Sequence, residues 1–444
     1  MTKHRVTLQF DRGTLLVAGK HVDRLPGVLW DPRVAAYRAP AYRYQELAPG
    51  AAELAEGMSR PLQIREPDLR PYQQAALEAW EVTGRRGVVV LPTGSGKTHV
   101  ALAAMARRGC STLVLVPTRP LLIQWVRHME GFTQLPVGVI GDGSRTVELL
   151  TVCTFDSAYG QMDHLGAEFG LLVVDEVHQL GTRLRPEALE MCAAPTRLGL
   201  TATPPAVSGA RVRMEQLVGP VVSKHTASEL GRGHLAPYRQ VPIYVELTHD
   251  ERKCYEDGYM AYLAALEQFC RVGRAAPTFE RFAIATSVGR QGLLGLQTAR
   301  RAVAMAQAKV EVARTLLERH ELDRSLVFTA DNTAAYSLSR ALLIPALTCD
   351  IGRPERLEIL ERLRKGRYRA VVSARVLNEG LDLPDCRIGV MLAASQGGVR
   401  EHIQRLGRLL RPAPNKQAAL YEVLANGTFE VEHARRREVE RISP

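Results

Sequence analysis

The 444-residue sequence has few cysteines and no long apolar run. Its seven cysteines are too scattered for a CxxC metal site, and their odd number does not suit a disulfide framework. Apolar runs such as Gly87–Leu91 are far shorter than the roughly 20 residues that cross a bilayer. The first residues also lack the apolar core of a signal peptide. These absences argue against a membrane span and an exported scaffold, and they predict a soluble cytoplasmic protein.

Lysine is scarce as well, because only 8 of the 58 cationic residues are lysine and the rest are arginine. The formal net charge is nevertheless +11. Arginine presents a planar fork of donors that suits phosphate. The composition therefore favours an anionic partner, although a general composition bias would produce the same arginine content. A chain of this length exceeds what one hydrophobic core supports, which predicts about two or three domains.

Residues 1–67 are predicted to form a small β-rich N-terminal domain. Apolar and polar side chains alternate over residues 6–10, as in a strand with one buried face. Residues 30–44 interleave aromatic side chains with arginines, a pattern that suits stacking on bases and pairing with phosphates. Arg38 and Arg43 are therefore candidate nucleic-acid contacts. In the alternative interpretation, the tyrosines complete a small core and the arginines are solvated.

Two stretches, residues 68–235 and 321–444, repeat short apolar strands followed by helices. Continuous apolar strands are typical of parallel sheets covered by helices on both faces. The predicted strands are 87–91, 112–116, 149–152, 171–174, 198–200, 325–328, 370–373, 389–392 and 420–423. Residues from about 248 to 318 lack strand signals and show helical periodicity, so residues 236–320 are predicted to be a linker and a helical insertion. The fold class is therefore α/β, with two parallel-sheet domains.

A glycine-rich segment follows the first of these strands and reads Leu91-Pro92-Thr93-Gly94-Ser95-Gly96-Lys97-Thr98. Such a loop wraps backbone N–H groups around phosphates, and the N-terminus of the next helix adds positive potential. Lys97 is expected to reach the β- and γ-phosphates, and Thr98 to bind Mg²⁺. Leu91 stands where the general pattern has glycine, so the motif departs from it by one position. It predicts a nucleotide site that needs a second motif for support.

The second motif is a pair of carboxylates at the end of another apolar strand, in Leu171-Leu172-Val173-Val174-Asp175-Glu176-Val177-His178. Asp175 is suited to hold the coordination shell of Mg²⁺, and Glu176 is suited to orient and deprotonate an attacking water. Ligands bind at the carboxyl ends of the strands in open α/β sheets. The two motifs together predict a site for a nucleoside triphosphate and Mg²⁺.

Two later motifs indicate a motor. Thr201-Ala202-Thr203 follows another strand, and Gln404, Arg408 and Arg411 share one face of a helix in the second α/β domain. An arginine delivered to a γ-phosphate by domain closure contributes roughly 10³–10⁵ in rate. The alternative for this helix is a salt-bridged surface. The pattern favours two domains that close on a nucleotide.

This set of motifs resembles the superfamily 2 helicases of the XPB type. The similarity includes Leu-Arg-Pro-Tyr-Gln at 69–73, the Asp-Glu-Val-His box, the Thr-Ala-Thr motif, Asn-Glu-Gly-Leu-Asp at 378–382 and the helix at 404–411. Residues 31–39 resemble the DNA-damage-recognition module of prokaryotic XPB proteins. The resemblance implies two RecA-like motor domains, a thumb-like insertion and an ATP-dependent DNA helicase or translocase of repair or recombination.

The resemblance also assigns residues to ligands. The residues implied are Arg70 and Gln73 for adenine, Gly380 and Asp382 for the link between nucleotide and DNA, and Thr118, Arg119, Thr154, Thr329 and Ser373 for the DNA backbone. Contacts with phosphates are largely independent of sequence and strongly dependent on salt. The expected ligands are ATP, Mg²⁺ and DNA as a single strand, duplex or fork, and a nuclease is an expected partner by analogy.

One departure from the family concerns strand separation. XPB proteins share an Arg-Glu-Asp triplet shortly after the Thr-Ala-Thr motif, whereas residues 204–209 here read Pro-Pro-Ala-Val-Ser-Gly. We therefore expect ATP hydrolysis and translocation with little unwinding. An ATP-gated DNA clamp or scaffold that recruits a nuclease is the alternative function, and an RNA helicase is a further alternative. Glu176, Arg408 and Arg411 are intact, which favours the motor because a binding-only relative would be free to lose them.

Overall fold

The computed structural model describes residues 6–47, 62–203, 209–230, 238–272, 278–374, 386–392 and 418–442. The described residues up to 230 form one compact unit, and those from 238 onward form a second. Within these ranges, no helix has the length and apolar character needed to cross a membrane. Each unit contains a parallel sheet with helices, which confirms the predicted α/β class.

The first unit begins with a small antiparallel sheet, which we call the N-terminal module. Its described elements are β1 (Thr7–Asp11), β2 (Thr14–Ala18), β3 (Leu29–Asp31), β4 (Ala36–Pro40) and α1 (Tyr44–Leu47). The strand order is β1-β2-β4-β3. Leu8, Leu15 and Val17 line the core of the module, as the alternation of apolar and polar residues predicts.

The N-terminal module packs against the large sheet of the same unit. Tyr42 is buried in the core of that sheet, and its hydroxyl accepts a hydrogen bond from Gln216 Nε2 at 3.0 Å. Gly13 approaches Met191 so closely that a Cβ on Gly13 would lie 2.5 Å from Met191 Cγ. Ala193, two residues after Met191 in the chain, belongs to the core of the N-terminal module. The module and the large sheet therefore form one packed body.

The large sheet supplies the framework of the first unit. Its described strands are β5 (Arg86–Val90), β6 (Thr112–Val116), β7 (Val137–Gly141), β8 (Ser144–Thr146), β9 (Leu150–Thr154), β10 (Leu171–Asp175), β11 (Thr196–Thr201) and β12 (Val221–Lys224). Their order is β12-β5-β11-β10-β6-β9-β7-β8, and β8 alone among them runs antiparallel to its neighbour. The five predicted strands correspond to β5, β6, β9, β10 and β11 with ends that differ by at most two residues. Strands β7, β8 and β12 were not predicted from apolar runs.

The helices of this unit connect its strands. They are α2 (Pro71–Val82), α3 (Lys97–Arg108), α4 (Arg119–Glu130), α5 (Phe155–Tyr159), α6 (Met162–Leu165), α7 (Pro186–Glu190), α8 (Gly209–Leu217) and α9 (Ala227–Leu230). Because the parallel strands run in one direction, the loops that follow them meet at one edge, which we call the carboxyl edge. Strands β5, β11 and β10 are adjacent, and β6 and β9 continue the sheet from β10. The strand order therefore divides the carboxyl edge into two neighbouring sets of loops.

The second unit contains another sheet, whose described strands are all parallel. They are β13 (Tyr238–Val245), β14 (Ser325–Phe328), β15 (Ala346–Leu347), β16 (Ala370–Ser373), β17 (Ile388–Met391) and β18 (Ala418–Ala425), in the order β13-β18-β17-β14-β16-β15. The helices described in this unit are α10 (His249–Val272), α11 (Phe279–Ala285), α12 (Ser287–Ala304), α13 (Gln307–Arg319), α14 (Asn332–Leu342), α15 (Arg353–Arg364) and α16 (Phe429–Ile442). The four strands predicted here correspond to β14, β16, β17 and β18. Strand β13 was not predicted, and it lies in the stretch expected to be a linker, where it pairs in parallel with β18.

Helices α10 and α12 form the core of the predicted helical insertion and approach each other at glycines. A Cβ on Gly258 would lie 2.5 Å from the carbonyl oxygen of Gly295. A Cβ on Gly292 would likewise collide with the side chain of Ala265. Real Cβ atoms essentially never come within 3.0 Å of another heavy atom in this way. The close packing of this helix pair therefore requires residues without side chains.

Gly295→Ala is expected to destabilise the second unit by about 1–3 kcal/mol, because its methyl group would overpack against the backbone of Gly258. The sign is informative, since alanine in a helix interior normally stabilises by up to about 1 kcal/mol relative to glycine. Thermal unfolding measures the effect. Gly209→Ala is the control, because among the described residues no atom lies within 4 Å of the position of its Cβ. A Gly295→Ala protein that melts with the parent would contradict the close approach.

Candidate functional site

The glycine-rich loop lies between β5 and α3, as the sequence predicts. Gly94 and Gly96 have φ angles of 84° and 80°, which favour glycine, and the helix begins at Lys97. The ammonium group of Lys97 donates hydrogen bonds to the carbonyl oxygens of Leu91 at 3.1 Å and Pro92 at 3.4 Å. The loop therefore places a cation and a helix N-terminus together, the arrangement that binds phosphates.

The segment that precedes α2 holds this loop in place. Gln73 Nε2 and the hydroxyl of Tyr72 both donate to the carbonyl oxygen of Ser95, each at 2.7 Å. Gln73 Oε1 accepts the backbone N–H of Arg70 at 2.8 Å. A Cβ on Gly96 would collide with the amide of Gln73. The structure thus brings Arg70 and Gln73, the residues assigned to adenine, directly beside the phosphate loop.

Asp175 ends β10 at the same edge and is held by two hydrogen bonds. Its Oδ2 accepts the indole N–H of Trp125 at 2.9 Å, and its Oδ1 accepts the backbone N–H of Glu176 at 2.9 Å. Burial, and then the neighbouring charge of Glu176, raise the pKa of Asp175 to about 6, while the positive charge of Lys97 opposes this shift. A cation bound beside this carboxylate would favour its ionised form.

The donor set fits Mg²⁺ and a triphosphate. Mg²⁺ is usually bound through one or two carboxylates together with phosphate oxygens, and Asp175 and Thr98 supply a carboxylate and a hydroxyl next to the phosphate loop. Thr93 Oγ1 is buried and has no hydrogen-bond partner within the described part of the chain. A polar atom in such a place indicates a ligand, because buried hydroxyls are otherwise hydrogen-bonded.

Glu176 is connected to the Thr-Ala-Thr motif through His178. The backbone of Glu176 is left-handed, with φ 50°, and a short 3₁₀ turn follows it. His178 Nδ1 lies 3.3 Å from Glu176 Oε2 and 3.0 Å from the hydroxyl of Thr201. The same hydroxyl accepts the backbone N–H of Thr203 at 3.2 Å. The carboxylate pair and the end of β11 are thereby joined by side chains.

The predicted DNA residues of the first unit lie at the ends of β6 and β9, a part of the carboxyl edge that we call the DNA half. The part at the ends of β5, β10 and β11 is the nucleotide half. Thr118 directly precedes α4, Arg119 is the first residue of this helix, and Thr154 ends β9 and caps α5. The side chain of Arg119 is 68% exposed and pairs with Asp142 at 3.0 Å. The structure therefore places the exposed side chain of Arg119 at a helix N-terminus, on the edge that also carries the predicted nucleotide residues.

Thr329 directly follows β14, and Ser373 ends the adjacent strand β16 of the second sheet. The backbone N–H of Thr329 donates to the carbonyl oxygen of Ser373 at 3.0 Å. Both side chains are buried, and their hydroxyls donate to main-chain carbonyls of the same unit. Gly380, Asp382, Gln404, Arg408 and Arg411, like residues 204–208, lie outside the described residues. Their assignments stay predictions.

The two candidate DNA-binding arginines of the N-terminal module, Arg38 and Arg43, have partners within the module. Arg38 donates to Asp11 Oδ2 at 2.5 Å and lies 3.1 Å from Asp31 Oδ2. Arg43 donates to Glu46 Oε2 at 2.9 Å. A DNA phosphate would have to compete with these ion pairs. Both guanidinium groups are thus engaged in ion pairs, and their assignment to nucleic acid stays a prediction.

Sequence reasoning missed Trp125 as part of the site. Leu122, Trp125 and Met129 are the buried face of α4, and their spacing indicates an ordinary core stripe. Trp125 reaches Asp175 because β6, which precedes α4, is the neighbour of β10 in the sheet. The strand order is the signal that identifies this contact, and the local sequence does not contain it.

Three families match successive parts of the chain. Residues 8–52 match the Xeroderma pigmentosum group B helicase damage recognition domain. Residues 66–206 match the family described as type III restriction enzyme, res subunit, and residues 308–413 match the helicase conserved C-terminal domain. The matched regions follow the order that the motifs predict.

The chain is 34% identical over 431 residues to the DNA 3′-5′ translocase XPB2 of Sulfurisphaera tokodaii, which covers 93% of this chain and 96% of that protein. It is 28% identical to the DNA 3′-5′ helicase XPB of Mycobacterium tuberculosis over 87% of this chain, and it spans 66% of that relative. The Hef helicase domain of Pyrococcus furiosus has the same type of fold, with a TM-score of 0.56, 18% identity and coverage of 83% of this chain and 98% of that one. This chain belongs to the XPB type of superfamily 2 helicases.

Proposed function

We propose that this protein is an ATP-driven motor that translocates along DNA from 3′ to 5′ in DNA repair. The observation that supports this most strongly is the carboxyl edge of the first sheet. There, the residues proposed to bind the nucleotide, at the ends of β5, β10 and β11, adjoin the residues proposed to bind DNA, at the ends of β6 and β9. A motor needs these two sites on one rigid framework, so that a change at one moves the other. The relatives are named as translocases and helicases, which favours a motor over an ATP-gated clamp.

The residues of the nucleotide half have distinct proposed roles. Lys97 would leave its loop carbonyls for the phosphates of ATP, and Arg70 and Gln73, beside the loop, would read the base. Thr98 and Asp175 would hold Mg²⁺, which when bound neutralises phosphate charge. Glu176 accepts the proton of the water that attacks the γ-phosphate. His178 and Thr201 then transmit a change at the Glu176 side chain to the end of β11.

The function is tested by comparing ATP hydrolysis without nucleic acid and with single-stranded DNA, duplex, fork and RNA. We expect DNA to stimulate hydrolysis, and RNA alone to do so only if the DNA assignment is wrong. Direction is measured by the ATP-dependent release of streptavidin from biotin at either end of a DNA strand. Movement from 3′ to 5′ displaces the block at the 5′ end faster, and faster release from the 3′ end would contradict it.

Fork opening is a separate question from translocation. Because residues 204–209 lack the charged triplet of the family, we expect displacement of streptavidin with little unwinding of a fork. Efficient unwinding would show that other residues separate the strands. A nuclease as the working partner rests on analogy with the family, and co-purification with a nuclease from the native cell would support it.

Arg119→Ala is expected to weaken DNA binding equally for different sequences and to lower the dependence of affinity on salt. Loss of one phosphate contact reduces the slope of log K against log salt by about 0.7 for a single strand. Binding isotherms at several salt concentrations measure this slope. Asp142→Asn is the control, because it frees Arg119 from its 3.0 Å ion pair and keeps a residue that tolerates the local φ of 54°. It should not weaken binding, and an unchanged slope in Arg119→Ala would remove this residue from the DNA site.

A further inference from the structure

The indole of Trp125 is buried in the first unit and has a charged partner. Its side chain is 1% exposed, and its N–H donates to Oδ2 of Asp175, which is 7% exposed. Hydrogen bonds to ionised acceptors are stronger than those between neutral groups, and burial strengthens them further. The contact therefore restrains the carboxylate as well as filling the core.

The two oxygens of Asp175 are held by groups of different origin. Oδ1 accepts the backbone N–H of Glu176, which is the next residue and moves with it. Oδ2 accepts the indole N–H from a separate helix, α4, 50 residues earlier in the chain. The orientation of the Asp175 carboxylate therefore depends on the position of α4.

Helix α4 also begins at the DNA half of the carboxyl edge. Arg119 is its first residue, and Trp125 follows six residues later, about 9 Å along the helix axis. Leu122 lies between them on the buried face of the helix and packs beside Gly141. The residue after Gly141 is Asp142, which pairs with Arg119. A single helix thus links an exposed cationic end to the carboxylate of the nucleotide half.

We propose that Trp125 is a positioning residue. It orients Asp175 for the binding of Mg²⁺ and nucleotide, and it transmits to Asp175 the changes that DNA makes at the first turn of α4. This inference rests on the proposed function, because it uses the same carboxylate and the same helix end. It adds a residue that no motif of the sequence assigns. Its alternative is a purely structural indole that fills the core.

Trp80 provides a matched control for that alternative. It is also fully buried in the first unit, at 0% exposure, and its N–H donates one hydrogen bond at 2.8 Å. Its acceptor is the backbone carbonyl of Arg197 rather than a carboxylate. Trp125→Phe and Trp80→Phe therefore remove the same group from equally buried sites and differ in what that group holds.

The first measurement is equilibrium binding of a fluorescent, non-hydrolysable ATP analogue at increasing Mg²⁺ concentrations. Loss of a group that orients a metal ligand typically costs roughly 10–100-fold in metal affinity. We expect Trp125→Phe to raise the Mg²⁺ concentration for half-maximal binding by about this factor, and Trp80→Phe to leave it unchanged. The proposal is overturned if Trp125→Phe keeps the Mg²⁺ dependence of the parent or if Trp80→Phe shifts it equally.

The second measurement compares ATP hydrolysis with and without single-stranded DNA at saturating Mg²⁺. The ratio of the two rates is expected to fall toward one in Trp125→Phe and to keep its parental value in Trp80→Phe. An unchanged ratio in Trp125→Phe overturns transmission through α4. A parent protein that DNA does not stimulate would instead contradict the proposed function, so the two failures are distinguishable.

Discussion

Glu176→Gln is expected to reduce ATP hydrolysis by about 10²–10⁴-fold while ATP binding persists. Glutamine keeps the shape of the side chain but does not accept the proton of the attacking water. The strained backbone at this position, with φ 50°, is present in both proteins, so the comparison isolates the carboxylate. Steady-state hydrolysis with saturating DNA measures the loss. Binding of a fluorescent ATP analogue shows that the site remains intact.

Glu187→Gln is the control for this variant, because Glu187 is an exposed residue at the start of α7 in the same unit. It makes the same change of charge away from the site and should hydrolyse ATP at the parental rate. A Glu176→Gln protein that retains that rate would assign the base to another residue. A variant that fails to bind the analogue would instead indicate that Glu176 shapes the site before the chemistry.

The sequence predicts those parts of the site whose residues are close together in the chain. The glycine-rich loop needs only a strand, two glycines and a helix start, and residues 86–97 contain all of them. The carboxylate pair needs only the end of β10. Because both motifs end strands of one parallel sheet, their meeting at the carboxyl edge follows from topology. The type of site in the nucleotide half, a phosphate loop beside a pair of carboxylates, was therefore predictable from the sequence.

Contacts between distant residues were not predictable from the sequence. Trp125 meets Asp175, and His178 meets Thr201, because of the order of β6, β10 and β11 in the sheet. No local periodicity encodes this order. The arginine and aromatic pattern near Arg38 did not indicate the ion pairs of its guanidinium group with Asp11 and Asp31, because the fold brings these residues together. Composition suggests an anionic partner, but only the fold shows which arginines are already engaged.

A buried ion pair in the second unit is a further contact of this kind, and breaking it is expected to have a large effect on stability. Lys309, on α13, lies 2.6 Å from Glu430 on α16, and their side chains are 0% and 2% exposed. The ammonium group also donates to the carbonyl oxygen of Leu392 at 2.6 Å, and Glu430 accepts the backbone N–H of Ala425 at 3.1 Å. Burial lowers the pKa of Lys309, and the charge of Glu430 opposes this shift. The pair thus joins two helices to the ends of β17 and β18.

Lys309→Met is expected to lower the free energy of unfolding of the second unit by about 3–5 kcal/mol, because Glu430 would keep a buried charge without its cation. For a unit of this size the melting temperature should fall by roughly 6–20 °C, which calorimetry resolves. Lys365→Met is the control, since Lys365 and Glu361 are also 2.6 Å apart but are both more than half exposed, and it should melt with the parent.

The double variant Lys309→Met/Glu430→Leu distinguishes a buried charge from a packing defect. Replacement of both partners by apolar residues is often neutral or stabilising, since neither charge then needs to be desolvated. We therefore expect the double variant to recover most of the stability that Lys309→Met loses, with a strong coupling between the two sites. If the two losses simply add, the ion pair is not the cause. The packing of α13 and α16 would then determine the stability of this part of the unit.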